Sequence, residues 1–108
     1  MTLEQSARRL EALGNPTRLA LFRLLVRAGT TGLPVGQIQE RIGVPGSTLS
    51  HHLHRLVANG LVTQERRGTV LVCRADYGTM RGLIGFLLDE CCVDEKQAAG
   101  RADAEQGN

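Results

Sequence analysis

"GVPGSTLSHHLHRLVANGLVTQERRGTVLVCRA", residues 43–75, decides the fold, because its apolar residues change their spacing part-way along. Over residues 48–59 the leucines recur every three or four positions, which predicts a helix with one apolar face. The turn GVPGS precedes this helix, and Ser47 is predicted to cap it. After the helix the spacing falls to two. The segments LVTQER and TVLVCRA, joined by a tight turn at Arg67-Gly68, therefore predict a β-hairpin.

The flanking sequence supplies further helices on both sides of this stretch. Apolar residues at helical spacing predict helices over residues 3–13, 36–42 and 77–92. A second helix starts at Asn15-Pro16, since Asn caps and Pro suits the first helical position, and it is followed by a TTGLP loop. The order predicts a mainly α fold with a small β-hairpin, a winged helix-turn-helix. We expect residues 1–94 to form this single domain and residues 95–108 to form a polar, disordered tail.

Composition and charge narrow the class of protein. The 108 residues contain no apolar run long enough to span a membrane, and an odd count of three cysteines favours a reducing, cytoplasmic setting. Residues 1–88 carry eleven arginines and five acidic residues, a net charge of +6, whereas residues 89–108 carry a net charge of −4. Twelve of the thirteen positive residues are arginine, the side chain best suited to phosphate and guanine. The charge pattern therefore favours a nucleic-acid partner.

The predicted helix-turn-helix carries a polar outward face. If the leucines of the helix at 48–59 face the core, hydroxyl, imidazole and guanidinium groups project outward, where they suit base edges and phosphates. The predicted contacts to double-stranded DNA are Ser47, Thr48, Ser50, His51, His54 and Arg55 in the helix, with Arg66 and Arg67 at the hairpin turn. His52 is expected nearer the core, as a packing residue. The simpler alternatives are a cap for Ser47 and a solvated surface for the others.

The segments "LGNPTRLALFRLL" (13–25) and "STLSHHLHRLVANGLVTQERRGTVLVCRA" (47–75), with the helix that follows, closely resemble the ArsR/SmtB bacterial repressors. The resemblance covers roughly residues 5–92. It implies a homodimer formed through the first and last helices that occupies an operator in DNA. It also implies release of that DNA when an inducing metal or metalloid binds.

Two effector sites of that family are absent from this sequence. The third helix, GQIQERI, lacks the paired cysteines of one type, and the last helix lacks the histidines of the zinc-responsive type. The cysteines Cys73, Cys91 and Cys92 remain, and thiolates select soft ions. A hairpin cysteine with a last-helix cysteine resembles an organoarsenical-responsive branch, and a terminal Cys-Cys pair resembles an arsenite-responsive one. The resemblance therefore implies a repressor with no permanent cofactor, induced by As(III) or an organoarsenical.

Several alternatives stay open at this point. Antimony, cadmium or zinc could be the ion, or the cysteines could form a redox or persulfide sensor. They could also be buried filler in a constitutive DNA-binding protein, because free Cys packs as a small hydrophobe. Cys73 with Cys91 is the favoured pair, the part played by Cys92 is open, and the site could lie within one subunit or across two. The sequence contains no carboxylate pair and no phosphate-binding Gly-rich loop, so it is not predicted to be an enzyme.

Overall fold

The computed structural model describes residues 1–101, which form six helices and a small antiparallel sheet. The elements, in chain order, are α1 (Leu3–Leu13), α2 (Pro16–Ala28), a 3₁₀ turn (Gly29–Thr31), β1 (Leu33–Pro34), α3 (Val35–Ile42), α4 (Gly46–Ala58), β2 (Val62–Arg67), β3 (Val70–Ala75), α5 (Tyr77–Leu88) and α6 (Val93–Arg101). This order confirms a mainly helical winged helix-turn-helix. No helix within residues 1–101 has the length and apolar content needed to cross a membrane.

The start of α2 follows local sequence signals. The Asn15 side chain accepts a hydrogen bond from the backbone N–H of Arg18, and Pro16 occupies the first turn. This satisfies one of the donors that a helix leaves free at its start. The predicted Asn15-Pro16 start is confirmed.

The start of α4 differs from the prediction. The helix begins at Gly46, with Pro45 in the cap position and no side chain capping its free N–H groups. Ser47 was predicted to be the cap and instead lies inside the first turn, so that prediction is wrong. Pro45, with φ of −59°, already has the backbone angle that leads into a helix. Gly43, with φ of 76°, makes the preceding turn in the left-handed region that favours glycine.

The sheet has the strand order β1-β3-β2, with both pairs antiparallel. Strands β2 and β3 form the wing, residues 62–75, and Arg67 pairs with Val70 across a Gly68-Thr69 turn. That turn is one residue later than predicted, and Gly68 supplies the positive φ of 63° that it requires. The predicted TTGLP loop contains β1, where Leu33 pairs with Cys73. Cys73 therefore lies in the central strand.

The core is aliphatic and is built around one face of α4. Leu49, Leu53 and Leu56 are all buried, and they pack with Leu21 and Leu25 of α2. Their spacing of three or four residues places them on one stripe of the helix. The same packing fixes which residues of α4 face away from the protein.

The C-terminal region departs from the prediction at two points. Helix α5 ends at Leu88 instead of Cys92, and residues 89–92 form turns. Asp89 and Glu90 follow directly, and acidic side chains are unfavourable at the negative end of a helix. Residues 95–101, expected to lack regular structure, lie in α6, whereas residues 102–108 of the predicted tail lie outside the described residues.

Candidate functional site

The outward face of α4 gathers most of the predicted DNA contacts. Ser47, Thr48, Ser50, His51 and His54 are all exposed, opposite the buried leucines. The helix begins without a side-chain cap, so its first N–H groups are free to donate to a phosphate. The structure thus presents hydroxyl and imidazole groups on the exposed side of α4, beside a helix start whose N–H groups are free.

Arg55 is placed differently from the other predicted contacts. Its guanidinium forms an ion pair with Glu11 of α1, and its side chain is only 35% exposed. Asn59 donates to the carbonyl of Arg55 one turn later. The guanidinium of Arg55 therefore joins α4 to α1 in this structure, a contact that the sequence did not indicate.

The wing carries the two predicted arginines at its tip. Arg66 and Arg67 are both exposed, and Arg67 lies 3.3 Å from the Glu65 carboxylate. Arg74 approaches the same carboxylate at 2.9 Å. Hydrogen bonds from Arg67 and then Arg74 lower the pKa of Glu65, which stays ionised and offsets part of the positive charge. Arg66 forms no ion pair within the described residues, so its guanidinium is the freer of the two to meet an anion.

A groove separates α4 from the wing. It has a volume of about 250 Å³ and is lined by Ser50 and His54 on one side and Gln64 and Leu71 on the other. Of the predicted contacts, Ser50 and His54 line this groove, whereas Arg66 and Arg67 lie outside it, at the tip of the wing. This arrangement is the one needed for a helix in the major groove with a wing on the adjoining backbone.

Cys73 is buried inside the domain. None of its side chain is exposed, and its sulfur accepts a hydrogen bond from Gln64 Nε2 at 3.5 Å. Burial raises the pKa of the Cys73 thiol, which outweighs the opposing effect of the Gln64 hydrogen bond. The thiol is thus kept protonated and shielded from solvent.

Cys91 and Cys92 lie in the turn after α5, and both are exposed. Their sulfurs are 3.4 Å apart. Cys92 has a φ of 62°, a left-handed conformation that L residues rarely adopt. The hydrogen bond with Cys91 raises the pKa of the Cys92 thiol, and Glu95 acts in the same direction.

The three cysteines do not form one cluster. The sulfur of Cys73 contacts Gln64, whereas those of Cys91 and Cys92 contact each other. Across residues 1–101 the structure contains no group of three or more His, Cys, Asp or Glu side chains arranged for a metal ion. In this conformation, the three cysteines of one chain are therefore not arranged to bind a single metal or metalloid ion.

Comparison with known proteins identifies the class. Residues 13–65 match the sequence model of a helix-turn-helix domain. The chain is 32% identical over 89 residues to the biofilm growth-associated repressor of Xylella fastidiosa, covering 82% of this chain and 75% of that protein. The solution structure of the homodimeric winged helix-turn-helix DNA-binding domain of a possible ArsR-family transcriptional regulator from Mycobacterium bovis is 33% identical. It superimposes with a TM-score of 0.66 and 82% coverage of each chain.

The chain belongs to the ArsR family of winged helix-turn-helix transcriptional regulators. It is also 38% identical over 60 residues to a Halobacterium salinarum protein named as an arsenical resistance operon repressor, covering 56% of this chain and 50% of that protein. Family membership makes this ArsR-family chain a DNA-binding regulator and not an enzyme. Helix α4, the second helix of this helix-turn-helix, is called the recognition helix below, and its exposed residues remain predicted DNA contacts.

Sequence reasoning missed one buried group in this ArsR-family fold, Arg18. The residue is only 7% exposed, and its guanidinium donates to the Ala12 carbonyl and to His52 of the recognition helix. A signal was present, because Arg18 precedes Leu21, Phe22 and Leu25 at helical spacing on the apolar face of α2. The expectation that His52 lies nearer the core is confirmed by its partial burial.

Proposed function

We propose that this protein is a homodimeric repressor that leaves its operator when trivalent arsenic binds the thiolates of Cys91 and Cys92. The observation that carries the proposal is the exposed pair of free thiols 3.4 Å apart. The similarity to a protein named for an arsenical resistance operon supports the choice of ion.

The sulfur separation suits one pyramidal arsenic atom. Two bonds of roughly 2.3 Å, the length of a zinc–thiolate bond, meeting at about a right angle place two sulfurs about 3.3 Å apart. The observed 3.4 Å needs almost no adjustment. Each arsenic–sulfur bond replaces an arsenic–hydroxide bond of arsenite, and the thiol proton leaves with that hydroxide as water. The raised pKa of Cys92 therefore slows capture without preventing it.

The pair lies beside the surface best suited to a second subunit. Large apolar side chains are left exposed on α1 and α5, which correspond to the helices where the resemblance placed the dimer. They are Leu3 and Leu10 of α1 and Ile84, Leu87 and Leu88 of α5, with exposed fractions from 41% to 73%. A patch of this kind on a soluble domain indicates a protein interface. The related Mycobacterium bovis domain is homodimeric, which supports the same assembly here.

Replacing Leu87 with Glu should separate the dimer into monomers. Burying a leucine is worth about 1.5–3 kcal/mol, and a dimer loses two copies, so we expect the dissociation constant to rise at least ~100-fold. Sedimentation velocity without DNA measures the change. Val70→Glu is the control, because Val70 is an exposed apolar residue on the wing. An unchanged dimer in Leu87→Glu would place the interface elsewhere.

Arsenic bound at this position can change the spacing of the two recognition helices by altering the dimer interface. Cys91 and Cys92 form the turn at the end of α5, and Cys92 holds a left-handed φ. One atom across adjacent sulfurs fixes this turn and so changes how α5 meets its partner. Two recognition helices must lie roughly 34 Å apart to enter successive major grooves. Release requires the bound state to favour another spacing by about 1–3 kcal/mol.

Cys73 has no part in this proposal other than packing. We expect Cys73→Ala to lower the free energy of unfolding by roughly 1–2 kcal/mol, because a fully buried sulfur is lost from the core. The arsenic concentration that half-releases the operator should stay within about twofold of the parent's, measured by gel shift. Loss of release would show that Cys73, predicted from the sequence as a ligand, takes part after all.

The same sulfur contact favours a second candidate, a thiol redox sensor. Oxidation by a peroxide would remove two protons and two electrons from the pair, reduce the peroxide to water, and join the sulfurs at about 2.05 Å. The acidic surroundings, Asp89, Glu90 and Glu95, disfavour the reactive thiolate. Arsenic capture is therefore the better-supported function.

A gel shift on the DNA upstream of its own gene separates these functions. Arsenite, phenylarsenite, antimonite, cadmium, zinc and peroxide are each added to a separate sample. Dithiothreitol is then added to the peroxide sample alone, to reverse oxidation. The proposal expects release by a trivalent arsenical and none by peroxide. Release by peroxide alone, reversed by dithiothreitol, would establish the redox sensor. Release by none of these would leave a constitutive DNA-binding protein.

A further inference from the structure

Arg18 is a buried cation without a carboxylate partner among the described residues. Its Nε donates to the Ala12 carbonyl at the end of α1 at 2.6 Å, and its Nη1 approaches His52 Nδ1 at 3.4 Å. A buried charge is tolerated only when its hydrogen bonds are satisfied. The contact with His52 is therefore part of what keeps Arg18 in the core.

The contact with Arg18 determines the protonation state and the tautomer of the His52 ring. Arginine can only donate, so Nδ1 must accept, and the ring must be neutral with its proton on Nε2. Burial, then the positive charges of Arg18 and His51, lowers the pKa of His52. A second proton on the ring would direct an N–H at the guanidinium and break the contact.

His52 lies in the middle of the recognition helix, on the side that faces the protein. The next polar contact along this side is the ion pair of Arg55 with Glu11, one turn further on. Both contacts come from helices that precede the helix-turn-helix. They add polar contacts to the leucine packing that already joins α4 to the rest of the domain.

We propose that Arg18 and His52 are positioning residues for the recognition helix, and that protonation of His52 releases α4 from Arg18 and weakens operator binding. The proposal rests on DNA binding by the recognition helix and is independent of the arsenic response. Arg18 from α2 and His51 from α4 are the charged groups that act on His52. Glu11 of α1 is held by Arg55, and among the described residues no charged group of β2 acts on the ring.

The direction of the pH effect follows from the lowered pKa. His52 titrates near pH ~6.5 in an unfolded chain and at a lower pH in the folded protein. The contact is therefore complete above about pH 6.5 and is lost as the pH falls through the folded value. A loss of operator affinity toward acid is therefore the change that the Arg18–His52 contact predicts.

Fluorescence anisotropy of the full chain on a labelled duplex from upstream of its own gene tests the proposal between about pH 5.5 and about pH 8. In His52→Asn the amide oxygen replaces Nδ1 as acceptor and does not titrate, and His54→Asn is the matched control. Because His52 titrates below its unfolded value, we expect the parent to bind several-fold, and less than about tenfold, more weakly at about pH 5.5 than at about pH 8. His54→Asn should show the same ratio relative to its own affinity at about pH 8, and His52→Asn should show no change across that range. His52→Leu should bind about tenfold more weakly even at high pH.

Thermal melting followed by circular dichroism at each pH shows whether the variants stay folded. If His52→Leu does not fold, the pH profile of His52→Asn still decides the question. The proposal is overturned if His52→Asn loses affinity in acid as the parent does, or if a folded His52→Leu binds at high pH as tightly as the parent.

Discussion

Replacing both Cys91 and Cys92 with Ser should leave operator binding unchanged and abolish its release by trivalent arsenic. The side chains lie in an exposed turn and support no core packing, so the fold and the DNA-binding face should persist. Serine oxygen is a poor ligand for a soft ion. At concentrations of arsenite or phenylarsenite that release all of the parent protein from the operator, we expect the variant to stay bound, as measured by gel shift.

The single variants sharpen this prediction. In the parent, the second arsenic–sulfur bond forms within one molecule, between sulfurs already 3.4 Å apart. When either sulfur is removed, this second bond cannot form. The arsenic concentration that releases half of the operator should therefore rise roughly 100-fold in both Cys91→Ser and Cys92→Ser. Cys73→Ala is the cysteine control. If Cys92→Ser responded as the parent does, Cys92 would not be a ligand.

Replacing Ser50 and His51 with Ala together should lower operator affinity about 100-fold. Both residues are exposed near the start of the recognition helix, where side chains reach base edges. Each good base contact is worth about 1–3 kcal/mol, so two contacts give a loss of this size. Binding to unrelated DNA, measured by anisotropy in the same buffer, should change little, because the phosphate contacts remain.

Arg66→Ala provides the contrast. An exposed arginine at the wing tip should contact phosphate, so its loss should weaken binding to operator and unrelated DNA alike and reduce the salt dependence by about one charge. If Ser50 and His51 are replaced without loss of operator affinity, the exposed face of α4 does not read the bases.

The features that the sequence predicted well are those determined by neighbouring residues. The Asn15-Pro16 start of α2 and the leucine stripe of α4 depend on residues a few positions apart, and both appear as expected. Ser47 shows where two local signals compete. Its hydroxyl suits a cap, but Pro45 two residues earlier already sets the angle at which the helix starts.

The features that the sequence did not predict depend on residues far apart in the chain. Strand β1 exists because Leu33 pairs with Cys73, forty residues later. Arg55 was expected on DNA because nothing near it in the sequence indicates Glu11 of α1 as its partner. The favoured pairing of Cys73 with Cys91 came from the family resemblance and stays a prediction. The sulfur contact in the structure joins Cys91 and Cys92, in a turn that follows Leu88.

Arsenic K-edge X-ray absorption of the arsenite-loaded protein counts the sulfurs bound to arsenic, and so shows whether Cys91 and Cys92 hold the ion. We expect two sulfurs at about 2.3 Å and one oxygen in the parent and in Cys73→Ala. In the double serine variant of Cys91 and Cys92 we expect no sulfur. Three sulfurs in the parent, or sulfur bound to arsenic in the double serine variant, would contradict the proposal.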